Sequence, residues 1–231
     1  PESLVKHAEE IGAKLLMVQR DFDFASMESV QWNYRFHPQS SDGQSRNRNS
    51  LPFPALRGAY QLSNAACALT VLECLNKQLP VDIGAIKRGL LLVENPGRFQ
   101  VLPGRPLVVL DVGHNPHAAR ALRRSLINLA FAQKRTAVFS MLSDKDIDGV
   151  LEIVKDQFDE WNIAPLDVPR GMTIEALQAK LAEHGIDNVN VFETVAAAYR
   201  AALAKATEND RIVVFGSFHT VADVMAVLKE H

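Results

Sequence analysis

The chain has 231 residues, 47% of them hydrophobic and 23% charged, enough apolar material for one large or two modest buried cores. Its 25 Lys and Arg against 27 Asp and Glu leave a formal net charge of -2, which argues against a broad non-specific grip on nucleic acid, so any anionic ligand has to be bound locally. No apolar stretch approaches the roughly 20 residues that cross a bilayer, and the start lacks both a signal peptide's apolar centre and a transit peptide's arginine-rich character; the expectation is a cytoplasmic protein with no membrane or nucleic-acid partner.

Residues 1–12 carry Leu4, Ala8 and Ile11 at helical spacing, and the apolar run 15–18 reads as a strand. A helix feeding a strand with nothing before it looks like the middle of a domain, so an upstream portion is expected. Residues 30–36 alternate apolar and polar side chains, as an exposed edge strand does, and 37–50 form a polar stretch expected to be a mobile hairpin tip. Arg35, Arg46 and Arg48 around that tip fit a solvated loop better than a phosphate patch. Residues 51–56 hold two prolines and end the edge strand. A helix is predicted over 61–75, with Leu62, Ala65, Ala66, Leu69, Leu72, Cys67 and Cys74 on one face; the two cysteines, seven apart, are expected in the core rather than in a disulfide. Asn64 falls near the first turn, where it serves either as a cap or as a contact to a bound nucleotide. A further helix is predicted over 81–92.

The Pro-Gly turn at 94–98 breaks the helical periodicity and sets the expected domain boundary, 1–95 and 96–231. Beyond it strands (99–102, 107–112, 136–141, 161–166, 189–192, 212–216) alternate with helices (116–131, 147–159, 173–184, 194–206, 220–229), a rhythm that predicts an α/β fold with a doubly wound, mostly parallel sheet. Asp146, Thr173 and Thr194 are placed to cap their helices.

The strand 107–110 is apolar without alternation, as a strand buried on both faces is, and runs into Asp111, Gly113, His114, Asn115 and Pro116. In open α/β sheets ligands sit beyond the carboxyl ends of such strands. The comparable tips are 140–146 and 216–220, each with short flexible backbone, hydroxyls and a helix start behind it. On residue type alone, Asp111 and Asn115 serve equally as helix caps. The chain has no GxGxxG, GxxxxGK[ST], GxSxG, HExxH or CxxC. His114 and His117 stand three apart, but zinc would need further ligands that the sequence does not offer, and no metal site is expected in this segment.

The motifs NPGRFQ at 95–100, LDVGHNPH at 110–117, DKD at 144–146 and GSFHTV at 216–221, in that order, resemble the C-terminal part of the folylpolyglutamate synthase and dihydrofolate synthase family, among the Mur-type ATP-dependent amide ligases. The resemblance covers essentially the whole chain. It implies a Rossmann-like C-terminal ligase domain at 96–231, preceded at 1–95 by the end of a central ATP-binding α/β domain whose glycine-rich phosphate loop lies upstream.

It also implies a ligase of folate and one-carbon metabolism that activates a dihydropteroate or folate carboxylate with ATP and Mg²⁺ as an acyl-phosphate and joins it to L-glutamate. Carried over by motif, Asn64, Arg98 and Asp111 are the expected nucleotide contacts: Asn64 toward adenine, Asp111 toward ribose hydroxyls, Arg98 at the hinge toward the phosphates. His114 and Ser217 are expected at the glutamate, and Asn115, Lys145 and Asp146 are weaker candidates. For Lys145 an ion pair with Asp144 or Asp148 is an equal alternative; His219 is expected to pack, and His7, His37, His184 and His231 to lie on the surface. No general base is evident. The implied partners are the small-molecule substrates and the N-terminal half of the same enzyme, working as a monomer, and the segment alone is expected to be inactive. The alternatives are a non-catalytic nucleotide- or amino-acid-binding module and a related cell-wall amino-acid ligase.

Overall fold

The computed structural model describes residues 2–27, 30–38, 45–58 and 60–230, which divide into two compact units, 1–55 with 60–93 and 56–59 with 94–231.

The first unit contains α1 (Glu2–Glu10), a three-stranded antiparallel sheet of β1 (Phe22–Met27), β2 (Gln31–Phe36) and β3 (Arg46–Pro52), and helices α2 (Gln61–Leu75) and α3 (Ile83–Leu92). Phe22, Trp32, Tyr34, Phe36 and Leu51 of the sheet pack against Ala65, Ala66, Leu69 and Ile86 of the helices. Several expectations are corrected here. The run at 15–18 is a loop with one bridge, Val18 to Phe22, because the buried Asp21 carboxylate accepts the Met17 N–H at 2.8 Å and folds the segment into a turn. The strand expected at the edge, β2, is central and pairs on both sides. Part of the polar stretch at 37–50 is itself strand, β3, and residues 39–44 lie outside the described residues.

Arg46 and Arg48 do not belong to a solvated loop: they stand on β3 and turn onto Glu73 of α2, whose side chain is 1% exposed, with Nε of Arg48 2.6 Å and Nη1 of Arg46 3.2 Å from its oxygens. Arg35 lies 3.8 Å from Asp23. A carboxylate at that depth is tolerable only when cations and hydrogen bonds surround it. Beside it Thr70 donates to the Ala66 carbonyl and pairs with the Tyr34 hydroxyl at 2.8 Å, and burial pushes the Tyr34 phenol up to about 12. Cys67 and Cys74 are free and exposed, not core, because the α2 face that meets the sheet is formed by Ala65, Ala66, Leu69, Thr70 and Glu73.

The second unit is built on six strands: β4 (Gln100–Leu102), β5 (Leu107–Asp111), β6 (Arg135–Phe139), β7 (Glu160–Ile163), β8 (Val189–Val191) and β9 (Arg211–Phe215), in the order β4-β5-β9-β6-β7-β8. Only β4 runs antiparallel to its neighbour. Side-chain alternation divides the core. Val109, Ala137, Phe139, Val213 and Phe215 face α4 (Pro116–Ile127), α5 (Ile147–Val154) and α6 (Ile174–Glu183), whereas Val108, Leu110, Val138, Ile212 and Val214 face α7 (Val195–Lys205) and α8 (Phe218–Leu228). Burial on both faces is why these strands read as unbroken apolar runs. The chain steps outward from β5 to β8 and then returns to place β9 between β5 and β6, so the direction of winding reverses beside β5.

Candidate functional site

Three neighbouring strands end together. Asp111 pairs with Phe215, and Phe215 with Phe139, so the residues that follow, Val112, Gly216 and Ser140, form one row at the carboxyl edge of the sheet. The three polar tips noted in the sequence are therefore adjacent, an arrangement that depends on β9 lying between the other two. Glycines let them approach. Gly216 has φ +108, and a Cβ there would stand 2.7 Å from the Phe139 ring. Gly97, at φ +74, would meet Val112 at 2.8 Å and Val221 at 3.1 Å, which is what draws the Asn95–Arg98 turn against β5 and α8. A Cβ on Gly149 would meet Pro116 at 2.7 Å, so the starts of α4 and α5 touch.

Asp111 closes the first tip. One carboxylate oxygen accepts the Gly113 N–H at 2.7 Å and the other the Phe99 N–H at 3.0 Å. Burial pushes its carboxyl above the usual aspartate range, against the opposing pull of those two amides and of the Arg98 guanidinium. Each oxygen keeps a lone pair beyond the backbone bond it accepts. His114 Nδ1 lies 2.9 Å from the Val112 carbonyl. A carbonyl can only accept, so the neutral ring carries its proton on Nδ1 and presents Nε2 as an acceptor.

Asn115 caps α4, its Oδ1 accepting the Ala118 N–H at 2.9 Å, and Asp146 caps α5 by accepting from Gly149 at 2.9 Å. Lys145 pairs with Asp144 at 3.1 Å; Asp148 is instead engaged by Lys180 and His184. Ser217 is 2% exposed and caps α8, its Oγ accepting the His219 N–H at 3.1 Å, which leaves the hydroxyl proton free to donate. The last helix thus begins at Phe218, two residues before the predicted start, because Ser217 supplies the cap. Thr220 Oγ1 donates to the Ser140 carbonyl at 3.0 Å and ties α8 to the β6 tip.

Arg98 is exposed, and its guanidinium carbon stands 5.4 Å from the centroid of the Phe218 ring. Seven of the eight candidate side chains, Arg98, Asp111, His114, Asn115, Lys145, Asp146 and Ser217, thus belong to the second unit. Asn64 belongs to the first: it sits in the opening turn of α2, whose N-cap is Tyr60, is exposed, and donates to Gln61 Oε1 at 3.2 Å, so it is not a cap. Among the other histidines, His219 is exposed rather than packed, since α8 turns Thr220 and Val221 inward instead. His184 is not a free surface residue: it lies 3.1 Å from Asp148 and 3.4 Å from Glu152, its side chain 15% exposed. His7 is exposed, His37 half-buried 3.9 Å from Asp23, and His231 lies outside the described residues.

Phe218 was missed in the sequence. Its signal is a serine directly after a strand-ending glycine, which starts the helix early and puts the aromatic in its first turn. Among the described residues no group of three or more His, Cys, Asp or Glu could hold a metal ion, and no helix is long and apolar enough to cross a membrane.

Comparison with known proteins gives this arrangement a context. A family described as "Mur ligase, glutamate ligase domain" matches residues 97–218. The dihydrofolate synthase/folylpolyglutamate synthase of Escherichia coli K12 is 38% identical over 230 residues, covering 99% of this chain and 50% of that protein. The structure of E. coli FolC in complex with DHPP and ADP superposes with a TM-score of 0.83 at 37% identity, covering 100% of this chain and 51% of the other. A bifunctional folylpolyglutamate synthase/dihydrofolate synthase with Mn, AMPPNP and L-glutamate bound gives a TM-score of 0.81 at 40% identity, covering 99% of this chain and 51% of the other. The chain spans about half the length of these relatives.

Proposed function

The chain belongs to the Mur ligase family through its glutamate ligase domain, and from that premise we propose that it contributes the amino-acid side of a cytoplasmic, ATP- and Mg²⁺-dependent ligase that joins L-glutamate to dihydropteroate or folates. The observation that carries this reading is the row of adjacent tips on β5, β9 and β6, with Asp111, His114 and Ser217 around one edge. Its relatives of known activity and the ligands in their structures support the same class of substrate.

ATP supplies the activation, converting a carboxylate to an acyl-phosphate. This chain's residues bind and orient. The Ser217 hydroxyl donates to a carboxylate of the incoming glutamate, while His114 Nε2, held as an acceptor by the Nδ1 contact to Val112, takes a hydrogen bond from its amine. Asp111 accepts from ribose hydroxyls through the lone pairs its backbone bonds leave. Arg98, always charged and able to fork onto two oxygens, contacts phosphate. The Asn115 and Asp146 carboxamide and carboxylate hold the α4 and α5 starts in place, and Lys145 is neutralised by Asp144. The phosphate loop and the metal ligands fall, in this reading, to the part of the relatives that this chain does not match, and the enzyme works as a monomer.

The test is ATP-dependent incorporation of labelled L-glutamate into dihydropteroate and into reduced folate by the full-length protein with Mg²⁺. Incorporation that stops without ATP supports the reading; none with either acceptor, at full occupancy of folded protein, refutes it.

A further inference from the structure

Phe218 occupies the first helical position of α8, 54% exposed, and is a member of neither hydrophobic cluster of the second unit. Packing does not explain an aromatic residue there. Its ring meets two of the candidate side chains: the Arg98 guanidinium carbon 5.4 Å from its centroid, and the His114 ring at 6.0 Å between centroids, tilted by 50°. Among the described residues the Arg98 guanidinium has no hydrogen bond or ion pair, and the only bond of the His114 ring is to its own backbone neighbour at Val112. Arg98 comes from the turn before β4, His114 from the β5 tip and Phe218 from the β9 tip, so one side chain links three separate segments.

We propose that Phe218 is a positioning residue, a shelf that sets the Arg98 guanidinium and the His114 imidazole relative to each other and so assembles the nucleotide and glutamate contacts together. This rests on the site reading given above. A long, unpaired arginine otherwise samples many rotamers, and holding it against a ring lowers the ordering cost of binding phosphate. The same ring limits His114 to orientations that keep Nε2 on the site side. An exposed cation–π contact corresponds to a factor of about two to five in an equilibrium.

The experiment is steady-state kinetics of the full-length enzyme with ATP and L-glutamate varied separately. Phe218→Leu is expected to raise KM for both substrates about two- to fivefold, with Phe218→Met behaving alike as a second non-aromatic variant and Phe218→Tyr restoring wild-type values, because the ring face is kept. Arg98→Ala is expected to raise KM for ATP alone and His114→Ala KM for glutamate alone, and adding Phe218→Leu to Arg98→Ala should change the ATP response no further. A Phe218→Leu enzyme with either KM unchanged, or a Tyr variant as impaired as the Leu variant, overturns the proposal while leaving the site reading intact. Unchanged KM values in Arg98→Ala and His114→Ala as well overturn both.

Discussion

Replacing Gly216 by alanine strikes the point where the three tips meet. The residue has φ +108, outside the regions that L side chains adopt, and its Cβ would be driven against the Ser140 carbonyl and to within 2.7 and 2.9 Å of the Phe139 ring. The backbone strain is worth about 1–3 kcal/mol, and forcing atoms into a packed interior costs about another 1–3 kcal/mol. Neither neighbour can give way easily: Phe139 is fully buried against Trp161 and Phe215, and the Ser140 carbonyl holds Thr220. Gly185 is the control. It also has a positive φ, +70, but a Cβ there meets nothing within 4 Å, so Gly185→Ala costs about 1–2 kcal/mol from strain alone. Hydrogen exchange of the β9 segment, followed as a function of urea, reads local stability in the second unit whatever the rest of the protein does. Gly216→Ala is expected to lose about 2–6 kcal/mol and to weaken glutamate binding through Ser217. Equal losses in the two variants would refute the argument that close approach of the tips, rather than backbone conformation, requires this glycine.

The remaining expectations concern both units. Asp111→Ala and Arg98→Ala should each raise KM for ATP or lower kcat/KM by more than about tenfold, roughly 1.4 kcal/mol of transition-state binding, and wild-type kinetics in either would remove that residue from the site. Arg48→Ala takes away the closer cation of the buried Glu73 and should destabilise the first unit by about 3 kcal/mol, measured by exchange in β2; a loss under about 0.5 kcal/mol would mean that Arg46 alone suffices. The Tyr34 phenol should ionise only near pH 12, against about 10 for an unperturbed tyrosine. Because the folded state holds that proton more tightly, its contribution to stability is intact below pH 10 and is lost as pH rises through the raised value. Ultraviolet titration of Tyr34→Phe against wild type isolates the signal, and a Tyr34 midpoint near 10 would contradict the burial argument.

What the sequence disclosed follows from which residues have to be apolar. Strands β5, β6 and β9 are covered on both faces, so Val108–Leu110, Ala137–Phe139 and Ile212–Phe215 read as continuous runs, and the caps at Asp146, Thr173 and Thr194 marked their helices correctly. The first unit was less legible because its sheet is covered on one face. In β3 only Leu51 is buried, and the arginines that make the rest look like a loop are committed to Glu73. The apolar run at 15–18 misled for the opposite reason: Met17 and Val18 are exposed, and a polar residue, Asp21, organises the turn. At the candidate site the chemistry-bearing residues were nameable from motifs, but not their meeting, which depends on β9 entering between β5 and β6. Nor was Phe218, whose place is set by the Ser217 cap.

The carboxyl edge of the second unit is the surface proposed to receive the glutamate and the nucleotide. The most direct test is selective ¹⁵N-glycine labelling of the full-length protein with amide signals followed during titration with L-glutamate and an ATP analogue. Gly113 and Gly216 are expected to move while Gly104 and Gly185, in connections at the opposite edge of the sheet, stay fixed. Shifts confined to Gly104 and Gly185, or none at Gly113 and Gly216 with both ligands saturating, would contradict that assignment.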